Sequence, residues 1–148
     1  MTAKEFLSRA YLLDQQIKSK LEQVESLREL SKKCTSAIDG ERVSASAEPK
    51  KIEGIIAKII DMENEINSDI SNLVDIKHEI ANTISTVENP IQKLLLEHRY
   101  ILCKPWEEVA DEIGCSIRTT FEQHGKILKK LVFFENPQLK TLNRSTKV

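Results

Sequence analysis

A seven-residue repeat of apolar residues through the middle of the chain restricts its fold more than any other feature. The repeat consists of Ile52, Ile59, Ile66, Leu73, Ile80 and Val87. A second apolar series follows these by three or four positions and consists of Ile55 or Ile56, Met62, Ile70, Ile76 and Ile84. Such spacing is typical of an α-helix that supercoils around another helix. We therefore expect a long helix from about residue 49 to residue 87.

The preceding residues predict another long helix, from residue 2 to about residue 38. Thr2 and Glu5 have the spacing of a capping box, in which each side chain accepts a hydrogen bond from the other residue's backbone amide. Apolar residues then recur at steps of three, four and seven until Asp39 and Gly40, where the helix is expected to stop. Because only the nine residues 41–49 connect the two helices, an antiparallel hairpin is the expected arrangement.

A two-helix hairpin has little interior of its own, and this one has more apolar residues than its seam needs. Leu12, Ile56, Ile60 and Val74 broaden the apolar stripe beyond a two-helix seam. We expect the hairpin to form a homodimer, as a four-helix bundle. The alternative is a monomeric hairpin that folds back onto the C-terminal part of the chain.

Capping residues divide residues 89–131 into three shorter helices. Asn89 can cap a helix whose first residue, Pro90, has no amide to satisfy. Pro105 opens the second helix, Gly114 can end it in the left-handed conformation, and Ser116 caps the third. Two helices joined by a three-residue turn that contains Gly outline a helix-turn-helix, whose second helix enters the major groove of DNA.

The apolar positions of these helices agree with a small three-helix core. The expected core residues are Leu94, Leu95, Tyr100, Ile101, Val109, Ala110, Ile113, Ile117, Thr120, His124, Ile127, Leu128 and Leu131. The residues that remain outward on the third helix are Arg118, Thr119, Phe121, Glu122, Gln123 and Lys126. Arg and Gln can form paired hydrogen bonds to guanine and adenine, Glu can accept one from cytosine, and Lys contacts phosphate.

The expected fold is therefore all-α, with a helical hairpin at residues 1–88, a helix-turn-helix head at 89–135 and a flexible tail at 136–148. Composition agrees, because 30% of the residues are charged and only 5% are aromatic, with four Gly and four Pro. Residues 1–88 carry 12 basic and 16 acidic side chains, a net charge of −4, whereas residues 89–148 carry 10 and 7, a net charge of +3. The basic excess is thus in the C-terminal part of the chain, so a total charge near zero does not exclude nucleic acid as a partner.

Three segments of the head resemble region four of bacterial sigma factors. They read LLLEHRY at 94–100, WEEVADEIG at 106–114 and LKKL at 128–131, together with Ser116 and Ile117. With TAKEFL at 2–7 and the long hairpin, the chain resembles a largely uncharacterised family of small phage and prophage proteins of Gram-positive bacteria. That family is related in its C-terminal half to late-transcription regulators of the ArpU type. The resemblance implies that Ile117, Arg118, Phe121 and Glu122 read promoter bases and that exposed carboxylates of the second helix meet host RNA polymerase or an activator.

The leading hypothesis is a phage or prophage transcription regulator that binds double-stranded DNA as a homodimer, with host RNA polymerase as a candidate partner. Its expected DNA-contacting residues are Ser116, Ile117, Arg118, Thr119, Phe121, Glu122, Gln123, Lys126, Lys129 and Lys130. A second hypothesis is a coiled-coil interaction protein whose helix-turn-helix docks protein, favoured by Thr120, Gly125 and the low net charge. A third is a DNA-recognition component of phage packaging, with its binding site at a packaging site.

Other classes of function have little support in the sequence. The three cysteines have no C-x-x-C spacing and fit a reducing cytoplasm, and the three histidines lack partners at metal-ligand spacing. The phosphate-binding, nucleophile-elbow and zinc-protease motifs are missing, so we expect neither an enzyme nor a bound cofactor. No apolar run reaches the length of a membrane span, and Met1 leads into polar residues, so a cytoplasmic protein of a bacterial host is expected.

Overall fold

The structure, a computed structural model, describes residues 1–40 and 48–131, and every element within them is a helix. The elements are α1 (Ala3–Gly40), α2 (Glu48–Ile84), α3 (Pro90–Leu96) with a π-helical continuation (Glu97–Ile101), α4 (Trp106–Ile113) and α5 (Ile117–Lys130). The all-α fold class is confirmed, with α1 and α2 packed as a hairpin. The expected tail at 136–148 and most of the 41–49 connection lie outside the described residues.

The chain divides into two compact units, and both long helices contribute to each of them. One unit is Leu12–Asp75, and the other combines Met1–Tyr11 with the described chain from Ile76 onward. We call them the hairpin unit and the head unit.

The hairpin unit is held together by an apolar seam between α1 and α2. Its core consists of Ile17, Val24, Met62 and Ile66, with Leu13, Leu27, Ile59 and Leu73 packed against it. Positions 59, 66 and 73 of the seven-residue repeat therefore face α1, as the supercoil pattern predicts. Burial of these apolar side chains is the main stabilising contribution in the unit, at about 25 cal/mol per Å² removed from water.

Ion pairs between the helices fix the antiparallel direction of the hairpin. Lys20 Nζ lies 2.5 Å from an oxygen of Asp69, and Arg28 pairs with Glu63. As the residue number rises along α1 it falls along α2, which is the antiparallel order. The carboxylate of Asp69 raises the pKa of Lys20, an effect that burial partly opposes.

One expected seam residue, Ile70, was placed wrongly by the sequence pattern, since 43% of its surface is exposed. The residue seven positions after buried Met62 is Asp69, not Ile70. Ile70 is one residue further along, so its side chain points about 100° around the helix axis from that of Asp69. Asp69 therefore faces Lys20 at the edge of the seam, and Ile70 faces outward.

The N-terminal end of α1 begins with the predicted capping box and is buried in the head unit. The Thr2 amide donates to Glu5 Oε2 at 2.8 Å, and the Glu5 amide donates to Thr2 Oγ1 at 3.2 Å. One turn later Phe6, Leu7 and Ala10 have no exposed surface. The first turns of α1 thus contribute three buried residues to the core of the head unit.

A nearly buried ion pair connects α1 to α2 within the head unit. Arg9 Nη2 lies 3.3 Å from Glu79 Oε1, and the two side chains are only 9% and 14% exposed. Arg9 Nε also donates to the Phe6 carbonyl at 3.0 Å, and the guanidinium lies 4.4 Å from the centre of the Phe6 ring. Removal of either charge would break this pair in a low-dielectric region, which is destabilising.

The short helices begin and end where the capping residues predict. Asn89 Oδ1 accepts from the amides of Ile91 and Gln92, at 3.0 and 3.3 Å. Gly114 ends α4 with φ 69° and ψ 30°, the left-handed conformation. Ser116 Oγ accepts from the Thr119 amide at 3.1 Å and so caps α5.

The segment after α3 departs from the regular helix expected up to Cys103. Residues Glu97–Ile101 are π-helical, and the Leu102 amide donates to the Glu97 carbonyl at 3.0 Å. Cys103 then has a φ of 56°, an unusual value for a residue with a side chain. The chain therefore leaves this helix through a widened turn, a feature that often marks functional regions.

Within residues 89–131, burial differs from the expected core at three positions. Leu94 and Ile117 were expected inside but are 37% and 44% exposed, whereas Leu96 is fully buried. Thr120, also expected in the core, has no exposed surface, and its hydroxyl donates to the Ser116 carbonyl at 2.8 Å. This hydrogen bond allows a polar residue to occupy a core position.

The two glycines of the head predict opposite effects of the same substitution on the free energy of unfolding. A Cβ at Gly114 or at Gly125 would meet no heavy atom within 4 Å, so only backbone conformation distinguishes the two sites. Gly114→Ala should destabilise the protein by about 1 kcal/mol because φ is positive there. Gly125→Ala, inside α5, should stabilise it by about 1 kcal/mol.

Urea denaturation followed by circular dichroism measures both effects. Each variant is the control for the other, because the added methyl group is identical. Shifts of the same sign would contradict the assigned end of α4.

Candidate nucleic-acid interface

The outward face of α5 is the surface that a helix-turn-helix would present to DNA. Of the ten residues predicted to contact DNA, eight are exposed: Ser116, Ile117, Arg118, Phe121, Glu122, Lys126, Lys129 and Lys130. Thr119 and Gln123 are half-buried. The cap at Ser116 fixes the start of the helix, and at about 100° per residue the exposed side chains of α5 spread over more than half of its circumference.

Arg118 is a highly accessible charged residue of this face, and it forms an ion pair within α5. Its side chain is 90% exposed, and Nε lies 3.5 Å from an oxygen of Glu122, one turn further along α5. An exposed pair of this kind contributes little to stability. The guanidinium can therefore exchange the carboxylate for an external acceptor at small cost.

Two apolar side chains lie within the same face. Ile117 is 44% exposed and Phe121 is 49% exposed. The Phe121 ring makes an edge contact with Trp106, with ring centres 5.1 Å apart. The face thus combines the ring of Phe121, which contacts Trp106 of α4, with the branched side chain of Ile117, next to the capping residue Ser116.

The two half-buried members of the predicted set take part in contacts within the protein. Ser116 Oγ donates to Thr119 Oγ1 at 2.9 Å. Gln92 Nε2, on α3, donates to Gln123 Oε1 at 3.0 Å. Gln123 therefore links α5 to α3, which leaves its amide nitrogen as the group available to a ligand.

Behind the face, Trp106 fixes the distance between α4 and α5. Its ring contacts the His124 ring edge-on, with centres 4.7 Å apart, and the Arg99 guanidinium lies 4.6 Å from the centre of its ring. Trp106 is thus a packing anchor between helices, a common role for a large aromatic side chain. Sequence reasoning missed Arg99, whose Nη1 also donates to the Lys104 carbonyl at 2.9 Å.

A buried hydrogen bond joins α5 to the π-helical segment. The Tyr100 hydroxyl and His124 Nε2 are 2.5 Å apart. Burial lowers the pKa of His124 to about 4, with a smaller contribution from nearby Lys4 and Arg99. Burial also raises the pKa of Tyr100 to about 12, against an opposing effect of Arg99. At neutral pH the phenol is therefore protonated and donates, and the neutral imidazole accepts.

Charge is distributed unequally between the two helices of the motif. The exposed acidic residues of α4 are Glu107, Glu108, Asp111 and Glu112. Glu107 and Glu108 lie in the first turn, where the helix dipole favours anions. Lys129 and Lys130 lie in the last turn of α5, where it favours cations. The motif therefore presents an acidic surface on α4 and basic residues at the end of α5.

The described residues contain neither a group of metal-binding side chains nor a membrane-spanning helix. No three His, Cys, Asp or Glu side chains among them are grouped so that they could hold a metal ion. Within the same residues, no helix has both the length and the apolar character needed to cross a bilayer.

Acidification is expected to destabilise the fold through His124. Between the ordinary pKa of 6.5 and about 4, the unfolded chain binds a proton that the folded chain excludes. The free energy of unfolding should therefore fall as pH is lowered through this window, by up to about 1.4 kcal/mol per pH unit. His124→Gln removes this contribution and should flatten the pH dependence measured by urea denaturation.

Tyr100→Phe is the matched control for that experiment. It breaks the same hydrogen bond but keeps the imidazole, so it should lower stability while retaining the dependence on pH. An unchanged pH dependence in His124→Gln would contradict the assignment of a buried neutral imidazole.

Comparison with known proteins places the chain in a family. Neither the curated proteins nor the solved structures gave a match. A family model described as "Protein of unknown function (DUF1492)" matches residues 32–132, which is more than half of the chain. The expected membership of an uncharacterised family is thus supported at that level, and the resemblance to sigma region four stays a prediction. The chain belongs to the DUF1492 family.

Proposed function

We propose that the protein is a DNA-binding regulator whose helix α5 enters the major groove. The observation that carries the proposal is the exposed outward surface of α5, which includes a 90% exposed Arg118, on the second of two helices joined where Gly114 ends α4 and Ser116 caps α5. Helices in this position contact base edges with their N-terminal residues. Ser116, Ile117 and Arg118 occupy that end of α5.

The exposed side chains divide into those that would read bases and those that would bind phosphate. The guanidinium of Arg118 can form paired hydrogen bonds to guanine, and the carboxylate of Glu122 can accept a hydrogen bond from cytosine. Ile117 and Phe121 offer apolar contact to thymine methyl groups. The phosphate ligands are Lys126, Lys129 and Lys130, all exposed on the second half of α5.

The packing behind α5 supports this division of roles. Trp106 contacts both Phe121 and His124, and Gln92 holds Gln123. A reading helix has to keep its side chains in a fixed position relative to the groove, which rigid support from neighbouring elements provides. The half-buried Thr119 and Gln123 would then position the helix more than they read sequence.

The regulatory context is inferred from the resemblance to phage and prophage proteins with a head like sigma region four. On that basis the protein acts on transcription in a bacterial host. The exposed carboxylates of α4 are the part of the motif that suits a protein partner, with host RNA polymerase the candidate. A DNA-recognition role in phage packaging uses the same groove chemistry at a different site.

A second candidate function is protein docking by the same head. The acidic outer surface of α4 favours it, because carboxylates near the duplex would be repelled by phosphate. The two functions are distinguished by whether the protein binds DNA. A docking head leaves DNA unshifted in an electrophoretic assay, even at low salt.

Arg118→Ala tests the groove assignment directly. Genomic fragments of phage and host that the wild-type chain retains are first selected and sequenced, which gives a preferred site. The variant should bind that site more weakly by about 1–3 kcal/mol and lose discrimination at one base pair. Lys58→Ala, which removes an exposed charge from the hairpin unit, is the matched control and should bind as the wild type does.

The salt dependence of binding separates phosphate contacts from base contacts. If about four phosphates are neutralised per head, the slope of log affinity against log salt should be near −4 per monomer. Lys129→Ala should reduce that slope by about one without changing the preferred sequence. An unchanged affinity and preferred sequence in Arg118→Ala would rule out α5 as the reading helix.

A further inference from the structure

Four exposed apolar residues on α2 form a stripe that remains uncovered within the hairpin unit. Ile56, Ile60, Ile70 and Val74 are exposed by 46%, 51%, 43% and 62%. At about 100° per residue, the four side chains fall within an arc of about 80°. The stripe is about 27 Å long and lies beside the seam, not within it.

The spacing of the stripe is symmetric along the helix. Positions 56 and 74 are equally distant from residue 65, and so are positions 60 and 70. A second copy can be related to the first by a two-fold axis that crosses α2 at residue 65. Each half of the stripe would then contact the opposite half of the stripe in the second copy. Ile60 would then face the partner's Ile70, and Ile56 would face the partner's Val74. Such a self-matching patch is what a two-fold contact requires.

The polar residues in the middle of the stripe obey the same symmetry. Glu63 and Asn67 are also equally distant from residue 65, so the axis places a carboxylate opposite an amide. Glu63 is already paired with Arg28 of its own chain, which compensates its charge. Two copies would therefore approach without like-charge repulsion at the centre, and an amide donor would face each carboxylate.

A groove between α1 and α2 opens on this face of the hairpin unit. Its apolar lining consists of the buried Val24 and Ile66 and the partly exposed Leu21 and Ile70, and its polar lining consists of Glu25, Arg28, Glu63 and Asn67. Apolar side chains of a second α2 helix would insert beside Ile70 as knobs into this groove. An unrelated partner would have no reason to match the symmetric spacing, so the observations favour a second copy of this chain.

We propose that the protein dimerises through an antiparallel contact between the α2 helices of two copies, centred on residue 65. The contact buries the stripe and brings the second α2 against the groove between α1 and α2, in a four-helix arrangement. The proposal is independent of what α5 binds. It identifies the surface, the register and the direction of the contact.

Two substitutions test the contact in the full chain. Ile60→Glu and Ile70→Lys each place a charge opposite an isoleucine of the partner. Each should raise the dissociation constant of the dimer by about a hundredfold or more, because an unpaired charge is buried. Both positions are exposed in the single chain, so folding should persist, and circular dichroism checks it. Sedimentation equilibrium measures the state of association.

Mixing the two variants tests the register. In a mixed dimer the introduced carboxylate at position 60 faces the introduced amine at position 70, and the other two positions keep their isoleucines. An equimolar mixture should therefore dimerise although each variant alone is monomeric. Ile56→Glu with Val74→Lys is a second pair of the same design, available if either first variant fails to fold.

Leu30→Glu is the matched control. Leu30 lies on α1 and is 46% exposed. Its side chain points about 180° away from that of Leu21 around the helix axis, and so away from the groove. The variant should dimerise as the wild type does. A monomeric wild-type chain, single variants that still dimerise, or a mixture that stays monomeric would each overturn the proposal.

Discussion

The hydrogen bond between Tyr100 and His124 is the contact on which the head depends. It is buried, it joins α5 to the π-helical segment, and it requires a neutral imidazole. A buried polar group without a partner costs about 1–3 kcal/mol, so neither side chain can be moved alone. Trp106 packs against His124, and Arg99 packs against Trp106. The orientation of α5 is therefore set by a chain of contacts that begins at this pair.

The π-helical segment follows from the same constraint. The helix that contains Tyr100 has to bury Leu95 and Leu96 and also direct the phenol toward His124. A widened turn changes the angular position of the residues that follow it, which a regular helix cannot do. No single residue between 97 and 101 signals this, because each of them is compatible with an ordinary α-helix. The need arises only from the partner on α5, 24 residues away.

The features that the sequence predicts well are those with local causes. The caps at Asn89 and Ser116 and the left-handed Gly114 depend on residues within one turn, and all three form as predicted. The heptad repeat likewise predicts the hairpin, because its period is a property of the helix itself. Ile70 was misplaced by a single position, and only the ion pair between its neighbour Asp69 and Lys20 shows why. The hydrogen bond that joins Gln123 to Gln92 depends on tertiary contact and was not predictable from either helix alone.

Exposed apolar surface and exposed charge have different consequences in this molecule. Charged residues on α4 and α5 are stable in water without a partner, so their presence is compatible with a ligand but does not require one. The stripe on α2 is different, because several exposed apolar side chains on one face of a helix favour association, even with Glu63 and Asn67 between its two halves. Its symmetry about residue 65 selects one arrangement among the many that hydrophobic contact alone would allow. A two-fold contact closes after two copies, whereas the same apolar area in an unsymmetric pattern would favour open-ended association. The spacing of four isoleucine and valine residues therefore determines whether association of the hairpin ends at a dimer.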